Sequence, residues 1–183
     1  MAKLGYPARR ALIIRRAVGW GDANLLRPFL AEKDLKKGLF IYRNHHKKAL
    51  LRGSRLFPAV PKLLSYLKRK GYKLAVASNR PTKFSLILIR HLKIGKFFDY
   101  YLFADKLKRG KPHPEILIKI RKRFSLGPSE VLYVGDMAID VRAGRRASIK
   151  TVAVTTGSST RQELKKEIPY LIISGITDLQ KIL

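Results

Sequence analysis

No cysteine occurs in the 183 residues. That excludes disulfides and thiolate metal sites and is compatible with a reducing compartment. The opening residues, Met1 to Tyr6, hold no secretory apolar segment, and no apolar run approaches the length of a membrane span. A soluble cytoplasmic protein with no membrane partner is the expectation. Acids are scarce: twelve Asp and Glu face forty Lys and Arg, a net charge of +28. So lopsided a balance attracts polyanions non-specifically and in a strongly salt-dependent way. The basic residues are spread along the chain, in pairs such as Arg9-Arg10, Lys47-Lys48, Arg121-Lys122 and Arg145-Arg146. Most fall on what reads as the solvent face of amphipathic helices.

What the chain does contain is regular apolar patterning, with 46% hydrophobic residues, enough for a packed globule. Its length suits one domain, or a core with a small accessory domain. Residues 1–55 read as helical, with no strand. Ala11 to Ile14 and Ala17-Val18 form a broken apolar stripe ended by Gly19-Trp20-Gly21. Asp22 is placed to cap a following helix, and a longer one is expected over Asp34 to Leu51. The pair His45-His46 on it is a poor chelate, because adjacent helical side chains point about 100° apart.

From Phe57 the texture changes. Pro61 sits like a first-turn proline before the stripe Leu63, Leu64 and Leu67, and Gly71 like a left-handed cap after it. Strands are expected at Lys73–Ala77, Tyr100–Phe103, Val131–Val134, Thr151–Val154 and Pro169–Ile173, with helices between them. Thr160 to Glu163 fits a capping box, and Leu179 to Leu183 a last helical piece. Strands alternating with helices predict an α/β fold with a Rossmann-like parallel sheet.

Three strand ends carry candidate chemistry. Ser78 and Asn79 follow the first strand, and a hydroxyl with free backbone N–H groups can hold phosphate oxygens. Lys111, in the basic loop before a helix, supplies a compact positive charge for the same oxygens. Asp136 and Asp140 follow Gly135 at the end of Val131–Val134, where ligands bind in open α/β sheets. Paired acids there suit a hard cation such as Mg²⁺, shared with a phosphate. Each residue alone has a plainer explanation, since a helix N-terminus favours Asp in any case. The ordered set outweighs those explanations.

The set resembles the haloacid dehalogenase-like superfamily, in particular its phosphoglycolate-phosphatase and β-phosphoglucomutase-like branch. Leu74 to Asn79 is similar to the second motif of that family, and Gly110-Lys111-Pro112-His113-Pro114 to the third. Gly135-Asp136 to Asp140 is similar to the fourth. The resemblance implies a Mg²⁺-dependent phosphatase of a small phosphorylated metabolite. In it Ser78 and Asn79 bind the phosphoryl group, Lys111 is the catalytic cation, and Asp136 with Asp140 bind the metal. It also implies a helical cap at 1–55 and a phosphohydrolase core at 57–183.

The family's first motif, an apolar strand ending in Asp-x-Asp-Gly-Thr, is not in this sequence. Its first Asp is the family's nucleophile, so the chain as given is expected to be inactive and to begin late relative to the family. The strand that bears it is the centre of the family's sheet. Its absence leaves two options: unpaired edges at Lys73–Ala77 and Val131–Val134, or direct pairing between them. A non-catalytic basic protein binding nucleic acid or another polyanion, and a truncated reading frame, stay open as alternatives.

Overall fold

The computed structural model describes residues 2–10, 13, 14 and 17–183. The apolar stripe expected over Ala11 to Val18 falls partly outside them. Within it Ile13, Ile14 and Val18 are exposed. Up to residue 55 the described residues form helices and no strand. A short helix α1 (Asp22–Leu26) is followed by a single 3₁₀ turn and then by the 22-residue α2 (Glu32–Gly53). Asp22 does not cap α1 as expected. Gly21 occupies the cap position, and the Asp22 carboxylate accepts from Arg43 of α2 at 2.7 Å. A nearby cation outcompetes the local backbone for that acid.

The remaining residues alternate as α3 (Val60–Arg69), β1 (Ala75–Ser78), α4 (Thr82–His91), β2 (Tyr100–Phe103), α5 (Glu115–Arg123), β3 (Leu132–Gly135), α6 (Ala138–Arg146), β4 (Lys150–Val154), α7 (Arg161–Lys166) and β5 (Leu171–Ile173). A 3₁₀ segment, Ile176–Lys181, closes the chain. Pro61 lies in the first turn of α3, and Gly71 (φ 82°) follows it in the left-handed region. Thr160 caps α7 through a reciprocal bond pair with Glu163, as the capping box predicts. The first strand begins two residues later than expected. The Leu74 carbonyl accepts from Asp99 and Tyr100, and the ladder proper starts at Ala75 opposite Tyr100.

All strand pairs are parallel, as expected, but they form two sheets among the described residues rather than one. β1 pairs with β2, and β3, β4 and β5 pair in that order. The edges of β1 and β3 do not join each other. Of the two options left by the sequence, the open slot is the one observed.

The halves are held together from outside the slot. Ile116, Leu117 and Ile120 of α5 pack with Leu102 of β2, with Ala143 of α6 and with Ala147 just after it, and partly buried Ala75, Ala77 and Tyr133 join the same cluster. A second cluster sets Leu63 and Leu67 of α3 against Val152, Val154 and Ile173. Apolar burial stabilises at roughly 25 cal/mol per Å², and here it spans the slot where backbone pairing does not. No helix of the described residues is long and apolar enough to cross a membrane.

Candidate active site

Ser78 ends β1 and Asp136 follows the last residue of β3, so both lie at the carboxyl edge of the parallel strands. The Ser78 Oγ accepts from the backbone N–H of Arg80 at 3.1 Å, which fixes the hydroxyl while leaving its proton free to donate. Asn79, nearly buried, spends its side chain on the scaffold. Its amide donates to the Gly19 and Lys111 carbonyls, both at 2.8 Å, and its oxygen accepts from the Lys111 N–H at 2.8 Å.

The Lys111 Nζ reaches across the slot. It donates to the Ala77 carbonyl on β1 at 3.0 Å, to the Tyr133 hydroxyl on β3 at 2.9 Å and to Asp140 Oδ1 at 2.7 Å. Tyr133 in turn donates to the same Asp140 oxygen at 2.7 Å. Asp140 Oδ2 accepts from the N–H groups of Asp136 and Met137. Asp140, a residue only 3% exposed, therefore meets four donors with its carboxylate and closes the N-terminus of α6. Burial works against the charged lysine, but Tyr133 and Asp140 outweigh it, and the Lys111 pKa is raised. Burial, with Asp140 adding to it, raises the Tyr133 phenol against the opposing pull of Lys111. The lysine is held as a cation and the tyrosine as a neutral donor.

Asp136 accepts from the Ser158 N–H through Oδ2 at 3.1 Å. A methyl group at Gly157 would collide with the Asp136 carboxylate, so the backbone of that loop is required to be bare. The described residues contain no cluster of three Asp, Glu or His able to hold a metal ion between them. Mg²⁺ commonly takes one or two carboxylates and fills the other positions with waters and phosphate oxygens. Asp136, which lines the cleft, suits that mode. Asp140 offers no free oxygen to it, with both occupied by donors.

Ser78, Lys111, Asp136 and Asp140 line one cleft of about 430 Å³, whose other side is lined from α1, α2 and α4. That volume suits a small metabolite. Several lining residues went unread in the sequence. Arg80 lies near Tyr42 and His46 of α2, and its guanidinium has no carboxylate partner among the described residues. Burial lowers its pKa and also raises that of Tyr42. His46 stacks on Tyr42 and meets Phe84 edge-on, while His45 is exposed, so the pair does not chelate. Burial first, and Arg80 next, lower the His46 pKa. The signal for Arg80 was its place directly after Ser78-Asn79. Tyr133 carried none, since an aromatic in a strand reads as core.

Comparison with known proteins places the whole chain. A phosphoglycolate phosphatase of Pseudomonas aeruginosa is 29% identical over 190 residues, covering 98% of this chain and 69% of that protein. Another, from Nitrosococcus oceani, is 28% identical and matches 100% of this chain and 85% of its own length. The crystal structure of a predicted phosphoglycolate phosphatase from Haemophilus somnus 129pt superposes with a TM-score of 0.90 at 26% identity, over 99% of this chain and 85% of that one. The family model of haloacid dehalogenase-like hydrolases matches residues 3–154, and the chain belongs to that family.

Proposed function

We propose that this chain carries the phosphate-holding part of a Mg²⁺-dependent phosphatase acting on a small phosphorylated metabolite of the phosphoglycolate kind. The observation that carries the reading is the convergence of Ser78, Lys111 and Asp136 on one cleft at the ends of β1 and β3. Residues 1–55 act as its cap. The Ser78 hydroxyl and the Asn79 N–H bind phosphoryl oxygens, and Lys111 faces them as the fixed cation. Asp136 holds the Mg²⁺, whose contribution is to neutralise phosphate charge. Asp140 serves that centre from behind, positioning the Asp136 backbone and the lysine.

A buried ammonium binds a carboxylate more strongly than a carbonyl, so the bond from Lys111 to Ala77 marks where an acid in the slot would receive it. No carboxylate of the described residues occupies that position, so the chain binds phosphate without turning it over.

The test pairs calorimetric titration of inorganic phosphate and phosphoglycolate, with Mg²⁺, against phosphate release. Binding to the chain is expected to fall at least about tenfold in Ser78→Ala, the loss of one charge-assisted hydrogen bond, with no turnover in either protein. Binding indifferent to Ser78→Ala overturns the site. Turnover that survives purification and disappears in Lys111→Ala overturns the inactivity. A second reading, polyanion binding, is favoured by the net charge of +28 and by one helix surface.

A further inference from the structure

From Leu35 to Phe98 the chain contains no acid at all. The helix α2 runs through the first third of that stretch, and its outer surface is organised. Lys33, Lys36, Lys37, Phe40, Asn44, Lys47 and Leu51 recur at spacings of three and four, which places them on one face, with Lys48 at its margin. All are exposed, and Phe40 keeps 68% of its surface in water. None of the five lysines has an ion-pair partner among the described residues. The two acids at the start of α2 are engaged elsewhere, Glu32 with Arg27 and Asp34 with the Tyr6 hydroxyl. Arg43, at the opposite margin, is tied to Asp22.

We propose that this face of α2 binds single-stranded nucleic acid. Backbone phosphates lie on Lys33, Lys36 and Lys37 at one end and on Lys47 and Lys48 at the other, and a base stacks on the Phe40 ring between them. The charge complementarity is one-sided and unneutralised over the length of the helix, about 33 Å at the usual rise. An aromatic ring set bare among cations is the arrangement that sequence-tolerant strand binding uses. A lipid surface fits less well. A helix lying in a membrane turns its apolar face outward, whereas α2 turns Leu35 and Leu50 into the protein and shows a lysine-rich face to water. The proposal sharpens the polyanion reading and is independent of the phosphate cleft.

The test is fluorescence anisotropy of labelled oligo(dT) with the whole chain over a salt series. Lys47→Ala with Lys48→Ala is expected to weaken binding and to flatten the log–log salt slope by about 1.4, from roughly 0.7 per released contact. The same double change at Lys165 and Lys166 of α7, equally exposed, should leave both unchanged. Phe40→Ala is expected to lose about tenfold and Phe40→Tyr to retain binding, since stacking needs the ring. Equal losses at the two lysine pairs overturn the proposal, as would an unaffected Phe40→Ala. Tighter binding of the matching duplex, or displacement of oligo(dT) by vesicles containing phosphatidylserine, overturns it in favour of another polyanion. Circular-dichroism melts of each variant separate lost binding from lost folding.

Discussion

Replacing Asp140 by asparagine keeps the shape of the side chain and removes its charge. In the native fold its two oxygens accept from Lys111, Tyr133, Asp136 and Met137. Asparagine has one accepting oxygen, so its NH₂ must face either the ammonium and phenol or the two backbone N–H groups. In both orientations donors oppose donors, and Lys111, with its side chain only 9% exposed, loses its counter-charge. Removing one partner of a buried ion pair costs about 3–5 kcal/mol. For a chain of this size each kcal/mol lowers the melting temperature by roughly 2–4 °C, so a fall of about 6–20 °C is expected. Urea unfolding of the wild type, Asp140→Asn, Lys111→Met and the double variant would measure it. Because Lys111→Met removes the cation that Asp140→Asn orphans, the double variant should lose less than the sum by at least about 1 kcal/mol. A single-variant cost below about 1 kcal/mol, or additivity within about 0.5 kcal/mol, would refute the reasoning.

Fusing to the N-terminus an apolar strand ending in Asp-x-Asp-Gly-Thr, followed by a helical segment, should raise the melting temperature and bring Mg²⁺-dependent phosphate release. A fusion gaining neither rejects the slot as the seat of the missing function. His46 has a pKa lowered in the fold, so the unfolded chain binds its proton more readily. Its contribution is present above pH of about 6.5 and is lost as the pH falls from there toward the folded value. The melting temperature of the wild type should therefore drop across that window more than that of His46→Gln, and parallel curves would contradict it. Ile116, fully buried in the cluster that spans the two half-sheets, should cost about 2–5 kcal/mol as alanine. Chemical denaturation checks this, and a loss below about 1 kcal/mol would mean that α5 does not join the halves.

Local chemistry made much of this legible from residues alone. Pro61, Gly71 and the Thr160–Glu163 box act through their own backbone, so their positions in the sequence settle their positions in the fold. The strand-end set Ser78, Lys111, Asp136 and Asp140 was readable because strand order and spacing carry it to one cleft. Direction of side chains was not readable. Asp22 turned to Arg43 rather than to its own helix, and Asn79 to Gly19 and the Lys111 loop, because partners distant in sequence won over near ones. Tyr133 could not be told from core, since only the arrival of Lys111 and Asp140 makes its hydroxyl matter. The division into two sheets depends on a non-local choice between two edges that apolar patterning leaves equal.

Three chain segments meet at one amide. Asn79 ties the end of β1 to Gly19 of the helical region and to both backbone groups of Lys111. A rotation of that region away from the sheet would withdraw the Gly19 carbonyl and strand an N–H in a nearly dry place. The amide would then turn to recover a partner, and in turning would loosen its grip on the loop that aims the lysine. Opening of the cleft and relaxation of its cation are thus mechanically one movement. A spectroscopic probe on Gly19 and another near Lys111 would report a single exchange rate.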